Sequence, residues 1–169
     1  MQKWFVLLCS SIILLLLISA CGKKEDNAVE FGKEFIKGYY HVEDLSLDLN
    51  KMNTAQLLDK QNKFSTYFTE KEFEDLANKR FFLIPEEVAI KKNNTISVQN
   101  IKFEKNEQDQ AKSESFDFNH SFTLIFTDPE GNEVDKVELK GQMTIINSDN
   151  ELKIDSYYDG EHLKDMLYN

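Results

Sequence analysis

Apolar residues follow three successive rhythms along this chain: a largely apolar run from Trp4 to Ala20, then spacings of three and four, then alternate positions. In the second stretch Ala28, Val29, Phe31, Phe35, Ile36, Tyr39 and Tyr40 fall on one face of a helix of 3.6 residues per turn. The spacing predicts a first helix from about Asp26 to Tyr40. Asp26 or Asn27 is placed to cap it, and Gly38 weakens its last turn. A second helical pattern covers Thr54 to Tyr67, with Leu57, Leu58, Gln61 and Phe64 on one face. Thr69-Glu70-Lys71-Glu72 has the form of a capping box, a hydroxyl residue followed three positions later by a glutamate. It opens a third helix with Phe73, Leu76 and Ala77 turned inward and an end near Lys79 or Arg80.

After Pro85 the period becomes two, as a half-buried strand requires. Ile96 and Val98 are followed by Ile101 and Phe103 with a change of parity, which predicts a strand bulged near Gln99 or Asn100. Lys105 to Ser115 is polar and charged and reads as a loop. Phe116, Phe118, His120, Phe122, Leu124 and Phe126 then alternate with polar residues, up to the turn Asp128-Pro129-Glu130-Gly131-Asn132. The return strand places Val137, Leu139, Gly141, Met143 and Ile145 on one face. Ser148-Asp149-Asn150 turns the chain into a last strand with Leu152, Ile154, Ser156 and Tyr158 in phase. Helices first and an antiparallel meander after them define an α+β fold, N-terminal helices packed on a curved, mainly antiparallel four-stranded sheet.

The opening run changes the picture of where this domain works. Lys3, the apolar stretch from Phe5 to Ile18 and the small residues Ser19 and Ala20 have the layout of a secretory signal. The alternative is a retained membrane span, but Trp4 to Ala20 contains Cys9, Ser10 and Ser11 and is shorter than the about 20 apolar residues a bilayer needs. Leu17-Ile18-Ser19-Ala20-Cys21 resembles the lipobox of bacterial lipoproteins. That resemblance implies cleavage after residue 20, acylation of Cys21 and a partner in the membrane lipid itself, on the outer face of the cytoplasmic membrane. Two acyl chains give stable anchoring. Residues 21–27 then form a lipidated tether whose reach beyond Cys21 is about 20 Å at most, and Lys23 and Lys24 beside it favour anionic headgroups. With Cys9 removed and Cys21 acylated, residues 28–169 hold no thiol for a disulfide, a metal or a nucleophile.

Residues 28–169 have the length of one domain, and most of the 13 Phe and all 6 Tyr lie within them, enough apolar mass for a core. Loss of a signal that carries Lys3 and no acidic residue takes the formal charge from −10 to −11. A surface this acidic repels phosphate backbones and argues against nucleic acid as a partner. Arg80 is the single arginine among many lysines, asparagines and isoleucines. With the lipobox, that bias points to a Gram-positive bacterium of the Firmicutes type.

Three phrases carry a further resemblance: Phe35-Ile36-Lys37-Gly38-Tyr39-Tyr40 ending the first helix, Tyr67-Phe68-Thr69-Glu70-Lys71-Glu72-Phe73 after the second, and Lys153-Ile154-Asp155-Ser156-Tyr157-Tyr158-Asp159-Gly160 closing the meander. In that order over residues 28–160 the chain resembles the NTF2-like (cystatin-like) superfamily. It is similar to the small NTF2-like lipoproteins and conjugation-associated proteins of Firmicutes. The resemblance implies a cone between helices and sheet that either holds a small molecule or is filled by side chains.

His120 interrupts the apolar stripe and is the residue most suggestive of acid–base chemistry. By parity Asp117 and Asp155 point away from it, and the acid and tyrosine set of NTF2-like enzymes such as ketosteroid isomerases finds no residue-by-residue match. His41, His120 and His162 share no metal-ligand spacing, and Glu43, Asp44 and Asp48 lack the glycine and terminal glutamate of a calcium loop. The sequence therefore assigns no catalytic residue, no metal and no cofactor. The leading reading is a non-enzymatic binding or assembly module of the cell envelope, or a conjugation component, docking an envelope or membrane protein. Tyr157, Tyr158, Phe81 and Phe82 are its candidate contacts. The alternative is a carrier of a small apolar or lipid-like ligand in a pocket lined by Phe118, His120, Phe122, Leu124, Phe126 and Met143. A bilobal importer receptor needs about twice this length. Oligomeric state is open.

Overall fold

The computed structural model describes residues 24–46, 51–106, 115–149, 151–160 and 162–168. The signal, Cys21, Lys23, Asp48, most of the polar segment before Ser115 and Asn150 lie outside the described residues.

Helix α1 covers residues 24–40 and buries Ala28, Phe35, Ile36, Tyr39 and Tyr40 as its spacing predicts. Lys24 to Asn27 are helical, so Asp26 and Asn27 lie within α1 and neither stands at a cap position. Gly32 is buried on the same face. A Cβ there would lie 2.7 Å from Phe103 and 3.0 Å from the Met143 sulfur, so its bare backbone lets α1 settle on the sheet.

Helix α2, Thr54–Asn62, is shorter than the periodicity suggests, and a separate 3-10 turn, Ser65–Tyr67, follows it. Leu58 is half-exposed to solvent on its outer side. Asn53 caps it reciprocally with Gln56: each side chain accepts the other's backbone N–H, at 3.0 and 2.9 Å. Helix α3, Glu70–Asn78, starts at Thr69 as expected, with the Thr69 hydroxyl accepting from the Glu72 N–H at 3.4 Å. The Glu72 carboxylate does not close the box. It accepts the Tyr157 backbone N–H at 2.9 Å and ties α3 to the sheet.

A fourth helix, α4 at Ile84–Lys92, occupies a stretch whose pattern shows only the approach to a strand. Pro85 sits in its first turn, where a missing N–H costs nothing, so this proline starts a helix and does not end one. Glu86 and Glu87 lie at its N-terminus and Lys91 and Lys92 at its C-terminus, which complements the helix dipole. Lys60 pairs with Glu86 at 2.5 Å and joins α2 to α4.

The sheet runs β1 (Thr95–Lys105), β2 (Ser115–Thr127), β3 (Glu133–Ser148) and β4 (Glu151–Tyr158), each antiparallel to its neighbour in that order. The expected bulge in β1 is present: the register shifts between Gln99 and Lys102, and Asn100 takes φ +55°. A second shift, in β4, leaves no mark in the hydrophobic pattern. Ile145 faces Ile154 while Thr144 faces Ser156, so Asp155 is an extra residue and parity reverses after it. Tyr157 is thereby turned into the core at 6% exposure and Tyr158 outward at 55%. Beyond β4, a short helix α5 spans His162–Asp165.

Helices cover one face of the sheet, and the core fills the space between them. Phe35 stands at its centre, within 5.0–6.3 Å of the rings of Tyr39, Phe64, Tyr67, Phe68 and Tyr157. The other face carries Lys102, Glu104, Asn119, Ser121, Glu138, Lys140 and Gln142 and is open to solvent. The α+β architecture of helices on a curved antiparallel sheet is thus the one the sequence predicts.

Candidate functional site

Phe118, Phe122, Leu124, Phe126 and Met143 point from β2 and β3 into the core and are buried to within 2%. They pack on one another and on α1, and neither of the clefts described below is lined by any of them. Phe81 and Phe82 are core residues too, at 8% and 3% exposure, because the left-handed Arg80 (φ 57°) turns the chain inward just before them. Of the four candidate contact residues only Tyr158 is presented to solvent. The bulge at Asp155 and the turn at Arg80 account for the other three.

His120 lies between aromatic rings, stacked on Tyr157 at 5.3 Å and 7° and flanked by Phe122 and Phe103. It is 3% exposed, and neither ring nitrogen has a hydrogen-bond partner of good geometry. Burial pushes its pKa down from 6.5 to about 4, against a smaller pull from the backbone of Gln142 and Tyr158 that favours the cation. At neutral pH the ring is uncharged.

The polar centre of the domain lies elsewhere, at the end of β4. Tyr40 donates to the Asp159 carboxylate at 2.5 Å, and its oxygen lies 3.0 Å from the Tyr157 hydroxyl. Since Tyr40 spends its proton on Asp159, Tyr157 must donate to Tyr40, and the relay runs Tyr157 to Tyr40 to Asp159. All three residues are buried. Tyr39 donates to the Phe81 carbonyl at 2.7 Å alongside. Burial, with the Asp159 charge adding to it, holds the three phenols well above their ordinary pKa, so they act as neutral donors. A shallow cleft of about 100 Å³ opens over this relay between Leu76, Phe81, Ile84 and Tyr158, with Lys79 and Lys164 at its sides.

The residues of this relay lie in two aromatic phrases of the sequence, but nothing in their spacing shows that Tyr40 and Asp159 meet. The parity reversal at Asp155 is what brings Tyr157 and Asp159 to α1. Removing the Tyr40 hydroxyl breaks the relay in its middle. Tyr40→Phe is expected to cost about 1–3 kcal/mol in urea unfolding, because buried polar partners lose a bond they cannot regain from water.

On the solvent side of the sheet a broad cleft of about 650 Å³ runs along two cross-strand rows, Lys102–Ser121–Lys140 and Glu104–Asn119–Gln142–Tyr158. Positive and negative groups alternate in it, and Gln142 donates to Asn119 at 3.3 Å. Among the described residues no group of three or more His, Cys, Asp or Glu side chains is placed to hold a metal ion, and no helix is long and apolar enough to cross a membrane.

No family model and no curated protein matches this chain. Solved structures do share its fold. An IcmL-like type IV secretion system protein from Legionella pneumophila superposes with a TM-score of 0.56 at 12% identity, over 79% of this chain and 90% of that one. A periplasmic fragment of TraM superposes with a TM-score of 0.50 at 11% identity, over 79% of this chain and 95% of that one.

Proposed function

We propose that this chain is an extracytoplasmic lipoprotein of a Gram-positive bacterium, held at the outer face of the cytoplasmic membrane by an acylated Cys21. There it serves as a non-enzymatic binding and assembly module of the envelope, in a conjugation or secretion apparatus. The observation that carries the reading is the close-packed interior. The aromatic stripe that a carrier would use as a pocket is occupied by its own side chains, so recognition falls to the surface. The shared fold with a secretion system protein and a periplasmic fragment, at 12% and 11% identity, supports the setting. The burial of His120 among the rings of Phe103, Phe122 and Tyr157 supports a role in packing and not in acid–base catalysis.

The anchor is tested by Cys21→Ala. Radiolabelled palmitate is expected to label the parent chain and not the variant, and the variant is expected to accumulate as unprocessed precursor. Normal processing of the variant would remove the lipoprotein reading. The setting is tested by crosslinking from Tyr158 in the host membrane. A reproducible adduct with a component of a conjugation or secretion apparatus supports it, and adducts confined to lipid contradict it.

A further inference from the structure

The two outer edges of the sheet are guarded. Val42 forms a bridge to Ile96 on β1, and the β4 edge is met by the Thr69 N–H on the Ile154 carbonyl and by Glu72 on the Tyr157 N–H. A third edge is left open inside the sheet. β3 is 16 residues long, but β4 pairs only with Gln142–Ser148 and stops at Tyr158. Among the described residues no strand pairs with the remaining length of β3 on that side.

The direction of its backbone groups follows from the bonds already present. The Tyr157 N–H points out to Glu72, so Ser156 and Tyr158 turn theirs toward β3 and meet Thr144 and Gln142. Alternation along β3 then turns the N–H and C=O of Lys140, Glu138 and Lys136 to the open edge. The Lys136 N–H confirms this, since it is taken up by its own neighbour, the Asp135 carboxylate, at 2.8 Å. Val134 is the extra residue of a further register shift, which leaves Asp135 to Lys140 as the regular open run.

We propose that this run pairs with the same run of a second copy of the chain, antiparallel about a two-fold axis through Val137. An isologous antiparallel pair must set outward residue against outward residue, so the axis passes through a residue and not between two. Charge selects which. An axis at Lys136 sets Lys136 against itself, and an axis at Glu138 sets Glu138 against itself and Lys136 against Lys140. An axis at Leu139 also pairs Glu138 with Lys140, but it brings Lys136 of the copy opposite Gln142, a place that Tyr158 already occupies. At Val137, Lys136 meets Glu138 of the copy twice, and Val137 meets Val137 on the core side. The side-chain ion pairs Lys136–Glu133 and Lys140–Glu138 are solvent-exposed and weak enough to exchange. The two sheets would join into one, which requires neither the envelope setting nor the lipid.

Cysteine placed at the axis reads this register directly. Facing residues of a non-hydrogen-bonded antiparallel pair have Cα atoms about 4.5 Å apart, within disulfide range. The full chain carrying Val137→Cys, oxidised mildly in its own membranes with the parent chain as blank, is expected to give a disulfide dimer, whereas Val134→Cys is not. Adding Lys136→Glu turns both ion pairs into repulsions and is expected to lower the dimer fraction about tenfold. Adding Glu138→Lys as well restores the pairs in swapped sense and is expected to bring the dimer back, which also shows that the charge variants fold. Absence of a Val137→Cys dimer, a dimer indifferent to Lys136→Glu, or a crosslink to a different protein would overturn the pairing.

Discussion

Replacing Gly141 by alanine is expected to cost about 3 kcal/mol or more and to lower the melting temperature by roughly 10 °C. A Cβ at this position would lie 1.9 Å from the Tyr158 carbonyl oxygen and 2.8 Å from both the Tyr158 carbonyl carbon and His120 Cε1. Two of those three atoms are backbone, so relief requires the end of β4 to move, not a rotamer change. That end carries Tyr157 and Asp159, so the variant should lose the Tyr40 relay together with stability. Gly38→Ala is the matched control. Nothing lies within 4 Å of its added methyl, and on an exposed helix position it should stabilise by about 0.5–1 kcal/mol. Thermal unfolding of the two variants beside the parent measures both. A Gly141→Ala protein that melts with the parent would mean that Tyr158 does not cross Gly141.

Acid should weaken this fold through His120. Its folded pKa of about 4 lies below its ordinary 6.5, so the folded state binds fewer protons between those values. The stabilisation is complete above pH 6.5, is lost progressively as pH falls toward 4, and changes no further below that. The whole window is worth about 3 kcal/mol. Carboxylates titrate in the same range, so the His120 share is the difference between the parent and His120→Phe, which keeps an aromatic ring against Tyr157. Urea unfolding at pH 7 and pH 4.5 is expected to show the smaller acid loss in the variant. Equal losses in both proteins would mean that the imidazole is hydrated or hydrogen-bonded and not isolated among the rings.

What the sequence shows and hides follows from the range of the forces involved. Periodicity reports which face a residue takes within one element, and it located α1, the faces of β2 and β3 and the β1 bulge, where Ile101 and Phe103 change parity in plain view. The β4 bulge left no such mark, because Ser156, Tyr157 and Tyr158 can each be read as inward or outward. One extra residue at Asp155 therefore exchanged the roles of the two tyrosines. Helix α4 was hidden for two reasons: Pro85 breaks helices in their interior and starts them at their first turn, and its buried residues Ile84, Pro85, Val88 and Ala89 form too short a pattern to show a period. The polar relay was hidden because Tyr40 and Asp159 are 119 residues apart and meet only through tertiary packing. Gly32 and Gly141 serve contacts made across the core, and no local spacing marks them.

A filled interior leaves recognition of partners to the surface of the domain. Native mass spectrometry of the processed protein, released gently from the membranes of its host, tests this most directly. The expected mass is that of the chain and its acyl anchor with nothing else retained, whether as one copy or two. A reproducible additional apolar molecule, retained by the parent and lost when Phe122 or Met143 is changed, would contradict it and make the aromatic stripe a ligand pocket.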